Sequence, residues 1–187
     1  MDKRKEALLQ ALKGSDSEHR QIAANALEKV EARERLPQFA ERIATGEMLD
    51  KLRAIYAIGD LKGQVIIDLL VGAAKDKSED VRSGAVRALG DMGDTRVFKA
   101  LVEALKDESV MVVRNAVEAL GKYNDSRLIG PLMGMLKNKD VGVLEMALEA
   151  ISAYGDKRSE TAMLFFAAKG NRALKATALR ALGSMDG

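Results

Sequence analysis

Alanine recurs at a fixed interval of 31 residues along the whole chain. Two alanine columns run in parallel, three residues apart, and no insertion or deletion interrupts either of them. Self-similarity at a fixed period is the signature of an array in which each repeat packs against its neighbours. The interval therefore predicts one domain of six repeats, approximately 1–31, 32–62, 63–93, 94–124, 125–155 and 156–187. The columns comprise Ala23, Ala54, Ala85, Ala116, Ala147 and Ala178, then Ala26, Ala57, Ala88, Ala119, Ala150 and Ala181.

Apolar residues within a repeat recur with helical period. In repeat 4, Val97, Leu101 and Leu105 follow one another at intervals of four, with Phe98 and Val102 beside them. Because the chain has only two prolines and no tryptophan, helices packed through small and aliphatic side chains are favoured over strands. The pattern predicts an all-α fold, a right-handed α-solenoid of six helical hairpins, each with an outer helix followed by an inner helix.

Aspartates at the repeat boundaries indicate where the later outer helices begin. Asp94, Asp125 and Asp156 each follow a Gly or Asn, and their carboxylates can accept hydrogen bonds from the first amides of a helix. Pro131 lies six residues past its aspartate, so that helix is predicted to begin late or to kink. The first inner helix has no stop signal before Pro37 and is predicted to run on past its repeat.

The residue inventory excludes several kinds of chemistry. No cysteine is present, which excludes disulfides, thiol catalysis and thiolate metal sites. His19 is the only histidine, so a histidine base and a histidine metal cluster are not expected. Glu145 and Glu149 lie one helical turn apart and more often face water than share an ion. We therefore expect no catalytic residues, no cofactor and no metal, and a non-enzymatic protein.

The balance of charge and apolar sequence bears on partners and compartment. A net charge of +2 creates no overall field that would recruit nucleic acid or an anionic membrane. No apolar segment has the length of a signal peptide core or of a membrane span. These features predict a cytoplasmic protein without a membrane partner.

The inner-helix motif resembles a known repeat family. The segment from Val81 to Gly90, Val-Arg-Ser-Gly-Ala-Val-Arg-Ala-Leu-Gly, is followed by Gly-Asp-Thr-Arg and a leucine-rich outer helix. This pattern resembles HEAT-like repeats of the short type named after phycobilin (PBS) lyases. That family includes scaffolds, lyase subunits, hydroxylases and nucleic-acid enzymes, so the resemblance implies a fold more than an activity. Repeats 5 and 6 place Leu144 and Lys175 where repeat 3 has Arg82, so a continuous ladder of arginines is not expected.

The inner helices offer the surface on which a partner is predicted to bind. If Ala85, Val86, Ala88 and Leu89 point into the stack, the opposite side of that helix, with Ser83, Gly84 and Arg87, faces outward. Equivalent positions differ in every repeat, which suits an irregular partner but is also expected of merely exposed positions. Tyrosine and arginine are enriched at interface hot spots. The predicted site, on a concave inner-helix surface, comprises Arg53, Tyr56, Arg87, Arg114, Asn115 and Glu118.

Two kinds of function remain open from the sequence, with a third less favoured. The first is a non-enzymatic scaffold or adaptor that binds a protein or peptide. The alternative is an accessory or chaperone-like subunit of an enzyme of the lyase type. Nucleic-acid binding is less favoured and would show a steep salt dependence. Phe165 and Phe166 in the last repeat further predict either burial of both rings against the last helix or self-association through the C-terminal repeat.

Overall fold

A computed structural model describes residues 3–184, and within that range the regular structure is entirely helical. The predicted all-α fold is confirmed. The chain divides into two compact units between Leu69 and Leu70, inside helix α5. The described residues form twelve α-helices: α1 (Lys3–Ala11), α2 (Ser17–Glu34), α3 (Leu36–Thr45), α4 (Met48–Gly59), α5 (Gln64–Ala73), α6 (Glu79–Asp91), α7 (Phe98–Ala104), α8 (Val110–Lys122), α9 (Ile129–Met135), α10 (Val141–Tyr154), α11 (Glu160–Lys169) and α12 (Arg172–Ser184).

The first unit contains two helical pairs, α1 with α2 and α3 with α4. Its best-packed residues lie on α3 and α4, where Phe39, Ile55 and Ile58 are buried, whereas α1 buries no residue fully. Helix α2 extends to Glu34, which confirms that the first inner helix runs past its repeat. The Arg35 guanidinium then lies 5.2 Å from the centre of the Phe39 ring at the junction with α3.

The second unit contains the regular part of the array. Three hairpins, α7–α8, α9–α10 and α11–α12, each pair an outer helix with an inner helix. The inner helices α6, α8, α10 and α12 pack one against the next in chain order. One position is fully buried in all three outer helices. A second position is fully buried in the three inner helices α6, α8 and α10. These residues are Leu101, Leu132 and Met163 on the outer helices and Leu89, Leu120 and Ile151 on the inner helices.

Each outer helix of these three hairpins begins with a 3₁₀ turn. The turns comprise Thr95–Val97, Ser126–Leu128 and Lys157–Ser159. The side chains of Asp94, Asp125 and Asp156 accept hydrogen bonds from the backbone N–H two residues later, which confirms the predicted caps. The preceding residue has a left-handed backbone, with φ of 65° at Gly93, 47° at Asn124 and 60° at Gly155. Helix α9 begins at Ile129, at the same offset from its aspartate as α7 and α11, so the late start predicted from Pro131 was wrong: the proline lies in the first turn, where its missing N–H is tolerated.

Two expectations about the packed side of α6 were wrong. Gly84 was expected to face outward, but it is buried. The reason is that the next inner helix covers this side of α6, since the Asn115 side chain of α8 donates to Ser83. Ala88 was expected to be packed in the stack, but it is only half-buried, whereas its counterpart Ala119 is 3% exposed.

Candidate binding surface on the inner helices

One exposed residue from each inner helix forms a row along the second unit. Arg87, Glu118, Glu149 and Arg180 are spaced by 31 residues, and all four are exposed. They share a face because the repeat spacing returns each to the same position of its helix. The cation, two anions and cation create a mixed-charge surface. We call these four residues the inner row.

Arg114 and Asn115 lie half-buried beside the inner row and contact neighbouring helices of the stack. The Arg114 guanidinium contacts the Asp140 carboxylate at the start of α10, with N–O distances of 2.9 and 3.1 Å from Nη2. It also lies over Gly142, where an added Cβ would approach Nη2 to 2.7 Å. Asn115 Nδ2 lies 2.7 Å from Ser83 Oγ on α6. Both predicted site residues therefore join consecutive inner helices.

Arg82 forms the most buried ion pair described in the second unit. Its Nε and Nη2 donate to the two oxygens of Asp107 at 2.8 and 2.9 Å, which is a bidentate arrangement. Its Nη1 donates to the backbone carbonyls of Asp76 and Lys77. The two side chains are only 10% and 12% exposed. Burial disfavours the charged carboxylate, but the hydrogen bonds from Arg82 and the Ser109 N–H outweigh it and lower the pKa of Asp107.

The contact between α10 and α12 is formed by different side chains from the Arg114–Asp140 contact between α8 and α10. Glu145 occupies the position of Arg114 one repeat later, and its carboxylate accepts from the Asn171 side chain at 3.3 Å. Asn171 in turn accepts from the Leu174 N–H at the start of α12, as Asp140 accepts from the Val143 N–H at the start of α10. The two contacts between inner helices thus join equivalent positions, although the side chains that form them differ in charge. This confirms that no continuous arginine ladder runs along the array.

The electrostatics beside Glu118 depend on one lysine. The Lys122 ammonium lies 3.1 Å from Glu118 on its own helix and 3.2 Å from Asp91 on α6. These two hydrogen bonds, from Glu118 first and then Asp91, raise the pKa of Lys122. Lys122 therefore partly neutralises the acidic middle of the inner row.

The remaining predicted site residues belong to the first unit. Tyr56 is 57% exposed on α4, and it lines a groove with Asn25 and Lys29 of α2. Arg53 lies one turn earlier and pairs with Asp50 across 3.6 Å on the exposed side of α4. The structure thus groups Arg87, Arg114, Asn115 and Glu118 in one unit, and Arg53 with Tyr56 in the other.

Two tyrosines that reach back to the preceding repeat were not anticipated. The Tyr123 hydroxyl lies 3.3 Å from the Leu89 carbonyl oxygen, and the Tyr154 hydroxyl lies 3.1 Å from that of Leu120. Tyr123 directly follows α8 and Tyr154 is the last residue of α10, and burial raises the pKa of both hydroxyls. Their spacing of 31 residues was the available signal. Phe98 completes this cluster with an edge-to-face contact to Tyr123 at 4.8 Å.

At the last hairpin the two phenylalanines have different environments. Phe166 is buried at 7% exposure, whereas Phe165 is 58% exposed, and the rings meet edge to face at 5.2 Å. The prediction that both rings are buried was wrong, because adjacent helical positions point in directions about 100° apart and only one can face α12. Self-association through this repeat stays a prediction.

Two further features are absent from residues 3–184. No cluster of three or more His, Asp or Glu side chains there is arranged to hold a metal ion. None of the helices in this range combines the length and apolar character required to cross a bilayer.

Comparisons with known proteins agree with the repeat geometry. The model of the family described as HEAT repeats matches residues 49–120 and 98–183. No curated protein matches the sequence. Among solved structures, the complex of CpcE and CpcF of phycocyanin lyase from Nostoc sp. PCC7120 is similar at 20% identity with a TM-score of 0.65. That match covers 77% of this chain and 62% of the lyase chain, so this chain spans less than two thirds of that chain's length.

Designed repeat proteins give a second set of similar structures. A designed armadillo repeat protein in complex with a (KR)4 peptide matches at 16% identity with a TM-score of 0.60, over 99% of this chain and all of that one. A computationally designed armadillo repeat protein for modular peptide recognition matches at 18% identity with a TM-score of 0.58, over 96% and 99%. These likenesses show an α-solenoid fold. The family match shows that the chain belongs to the HEAT repeat family.

Proposed function

We propose that this protein is a non-enzymatic binding module that holds a protein or peptide segment on the inner row. The observation that carries the proposal is the inner row itself. Arg87, Glu118, Glu149 and Arg180 are all exposed, and the residue before each of the first three is fully buried. The core columns of the array repeat, whereas this row is positive on α6, negative on α8 and α10 and positive on α12, and such variation is how a solenoid presents a specific surface.

Rigidity of the row supports the same function. Arg114 and Asn115 fix α8 between α6 and α10, so the backbone beneath Glu118 is held on both sides. A prearranged surface loses less conformational entropy on binding than a flexible one. In this proposal Arg114 and Asn115 border the site, and Arg87 and Glu118 contact the ligand.

The charge order of the row specifies the ligand. Adjacent packed helices lie about 8–10 Å apart, and an extended peptide advances about 3.3 Å per residue. Every third residue of such a peptide therefore meets the next inner helix. The expected segment has an acidic residue facing Arg87, a basic residue three positions along facing Glu118, and another basic residue three positions further facing Glu149.

Selection from a library of displayed short peptides tests this function on the full chain. We expect enriched peptides to carry the acidic and basic residues at that spacing. The double variant Arg87→Glu with Glu118→Lys should bind them at least tenfold more weakly, which equals about 1.4 kcal/mol. The matched control, Lys99→Glu with Glu103→Lys on outer helix α7, leaves the net charge equally unchanged and should bind normally. Loss of binding in the control alone would overturn the proposal.

The alternative function is an accessory or chaperone-like subunit of an enzyme. The likeness to the CpcE and CpcF complex supports it at the level of fold. A small ligand that copurifies with the chain would favour this function over peptide binding. Nucleic-acid binding would instead appear as a loss of affinity that follows the logarithm of the salt concentration with a steep slope.

In the first unit, Tyr56 and Arg53 are proposed as a separate set of partner contacts. Tyr56 presents an exposed ring beside a groove that is lined by polar side chains of α2 and α4. An aromatic ring with a polar hydroxyl at such a site is a frequent anchor for a partner. Tyr56→Ala should weaken partner binding without changing the helicity of the chain.

A further inference from the structure

The outward face of α12 has the same packing features that α6 and α8 use to hold the next inner helix. The position of Leu179 is occupied by Val86, Val117 and Leu148 in earlier inner helices, and all three are fully buried. Leu179 itself is 54% exposed. Leu179 therefore lies at a position that packs against another helix in earlier repeats, but no described residue covers it.

The same face of α12 also carries a glycine at a position where a neighbouring helix can approach closely, which we call the glycine notch. A Cβ added to Gly90 would lie 2.5 Å from the Ala119 Cβ, and one added to Gly121 would lie 3.0 Å from the Ala150 Cβ. At these two positions the glycine lets the alanine of the next inner helix approach closely. Gly183 is the equivalent residue of α12, and an added Cβ there would meet nothing within 4 Å. The notch is therefore present and open.

Helix α2 carries the side chains that would fit this face. Ala26 is in the same column as Ala119 and Ala150, which fill the notches of the earlier helices. Ile22 is in the column of Met146, which lines one groove with Val117, and it is 57% exposed. Helix α2 thus leaves Ile22 exposed and Ala26 half-buried, whereas the equivalent residues of later inner helices face the preceding repeat.

The charges of the two faces are complementary. Within the second unit, a cation of one inner helix pairs with the aspartate that caps the next, as Arg114 does with Asp140. Asp16 caps α2 in the same way and remains half exposed, with Glu18 beside it. On α12 the position of Arg114 is occupied by Ala176, but the adjacent Lys175 and the nearby Arg172 are cationic and exposed. A second copy of this chain therefore supplies both the apolar and the ionic counterparts.

We propose that copies of this chain associate head to tail, with α12 of one copy packing against α2 of the next. Leu179 lies against Ile22 of the second copy, Gly183 receives its Ala26, and Lys175 pairs with its Asp16. Such a contact joins two different surfaces, so every assembly that does not close into a ring has one unoccupied surface of each kind at its two ends. Assemblies of wild-type chains should grow with concentration.

Sedimentation of the full chain and of two end variants tests this arrangement. Wild-type chains should gain mass as the concentration rises from about 1 μM toward about 1 mM, the range of weak to moderate Kd values. Leu179→Glu and Ile22→Glu should each remain monomeric and keep full helicity, since both side chains are exposed. A mixture of the two variants should form a complex of two chains and nothing larger, because one intact α2 face and one intact α12 face remain. Gly183→Leu, which fills the notch, should behave like Leu179→Glu.

Other outcomes would overturn the proposal. A wild-type chain that stays monomeric throughout this range has no such contact. Ile22→Glu chains that still form dimers would show that two α12 faces meet symmetrically. Val141→Glu is the matched control, since Val141 is also 54% exposed but lies at the start of α10. It should assemble as the wild type does, and its failure to assemble would assign the association to general surface charge.

Discussion

At the scale of single residues, equivalent positions of the array have acquired different tasks. The positions equivalent to Arg82 in the next three repeats are Val113, Leu144 and Lys175. The same helical position therefore holds a buried ion pair in one repeat, apolar residues in the next two and an exposed cation in the last. Asp107 lies only 12% exposed against Arg82, while the Arg114–Asp140 pair is considerably more exposed. Burial therefore determines which of the two arginines matters for stability.

Arg82→Ala should destabilise the chain by about 3 kcal/mol, because it leaves a buried carboxylate and two backbone carbonyls without their donor. Arg82→Lys should retain part of the stability that Arg82→Ala loses, since a lysine keeps the charge but cannot form the bidentate contact. Denaturant unfolding of the variants measures the difference. Arg114→Ala is the control and should cost much less, and equal losses for the two arginines would contradict the assigned roles.

The aspartates that begin the outer helices make stability depend on pH in the acid range. The Arg127 side chain and then its backbone N–H lower the pKa of Asp125 to about 2, and Arg158 does the same for Asp156. The pKa of an aspartate in an unfolded chain is about 3.9. Because the folded pKa is lower, these groups stabilise the fold above about pH 4, and the contribution disappears as the pH falls toward about 2.

The midpoint of thermal unfolding should therefore change little from neutral pH to about pH 5 and fall between about pH 4 and pH 2. Asp125→Asn with Asp156→Asn should reduce the slope in that window. It should not abolish the slope, because the pKa values of Asp107 and Asp140 are also lowered. NMR titration that gave Asp125 an ordinary pKa would contradict this explanation.

At the scale of helices, close packing of inner helices depends on a small residue from each side. Gly90 on α6 and Ala119 on α8 meet with no room for a methyl group, and Gly121 meets Ala150 in the same way. The alanine columns were visible in the sequence, and they correctly located the inner helices. The glycines that they contact were not predicted, because the sequence does not show that the last turn of a helix is also a contact.

Gly90→Ala should force α6 and α8 apart and cost about 1–3 kcal/mol, despite the better helix propensity of alanine. Gly183→Ala is the matched control in α12, and it should change the stability of the monomer by less than about 1 kcal/mol because nothing opposes the added methyl group. Thermal unfolding at low protein concentration compares them. Equal stability of Gly90→Ala and the wild type would contradict the contact.

The elements themselves were largely predictable, for identifiable reasons. The Asp caps and left-handed residues located the starts of α7, α9 and α11 because these signals are local in sequence. The 3₁₀ turns were missed, since an aspartate that accepts from the N–H two residues later gives the same sequence signal as an ordinary cap. The hydroxyl contacts of Tyr123 and Tyr154 join residues 34 apart, and no local rule reports them.

At the scale of the whole molecule, regular core columns support a surface that varies from repeat to repeat. The inner row was predictable as a row because a period of 31 residues fixes which residues share a face. Its composition as a functional site was less predictable, since Arg114 and Asn115 bind their own neighbours instead of pointing outward. The assignment of Arg53, Tyr56, Arg87, Arg114, Asn115 and Glu118 to partner binding stays a prediction, as does one continuous right-handed solenoid across all six repeats.

The central claim is that a mixed-charge segment binds on the inner helices. The most direct measurement is NMR mapping of the backbone amides of the full chain on addition of a library-selected peptide. We predict that the shifted signals cluster on α6, α8 and α10 around Arg87, Glu118 and Glu149, with little change on the outer helices. Shifts confined to α7, α9 and α11 would contradict the claim and assign binding to the opposite face of the hairpins.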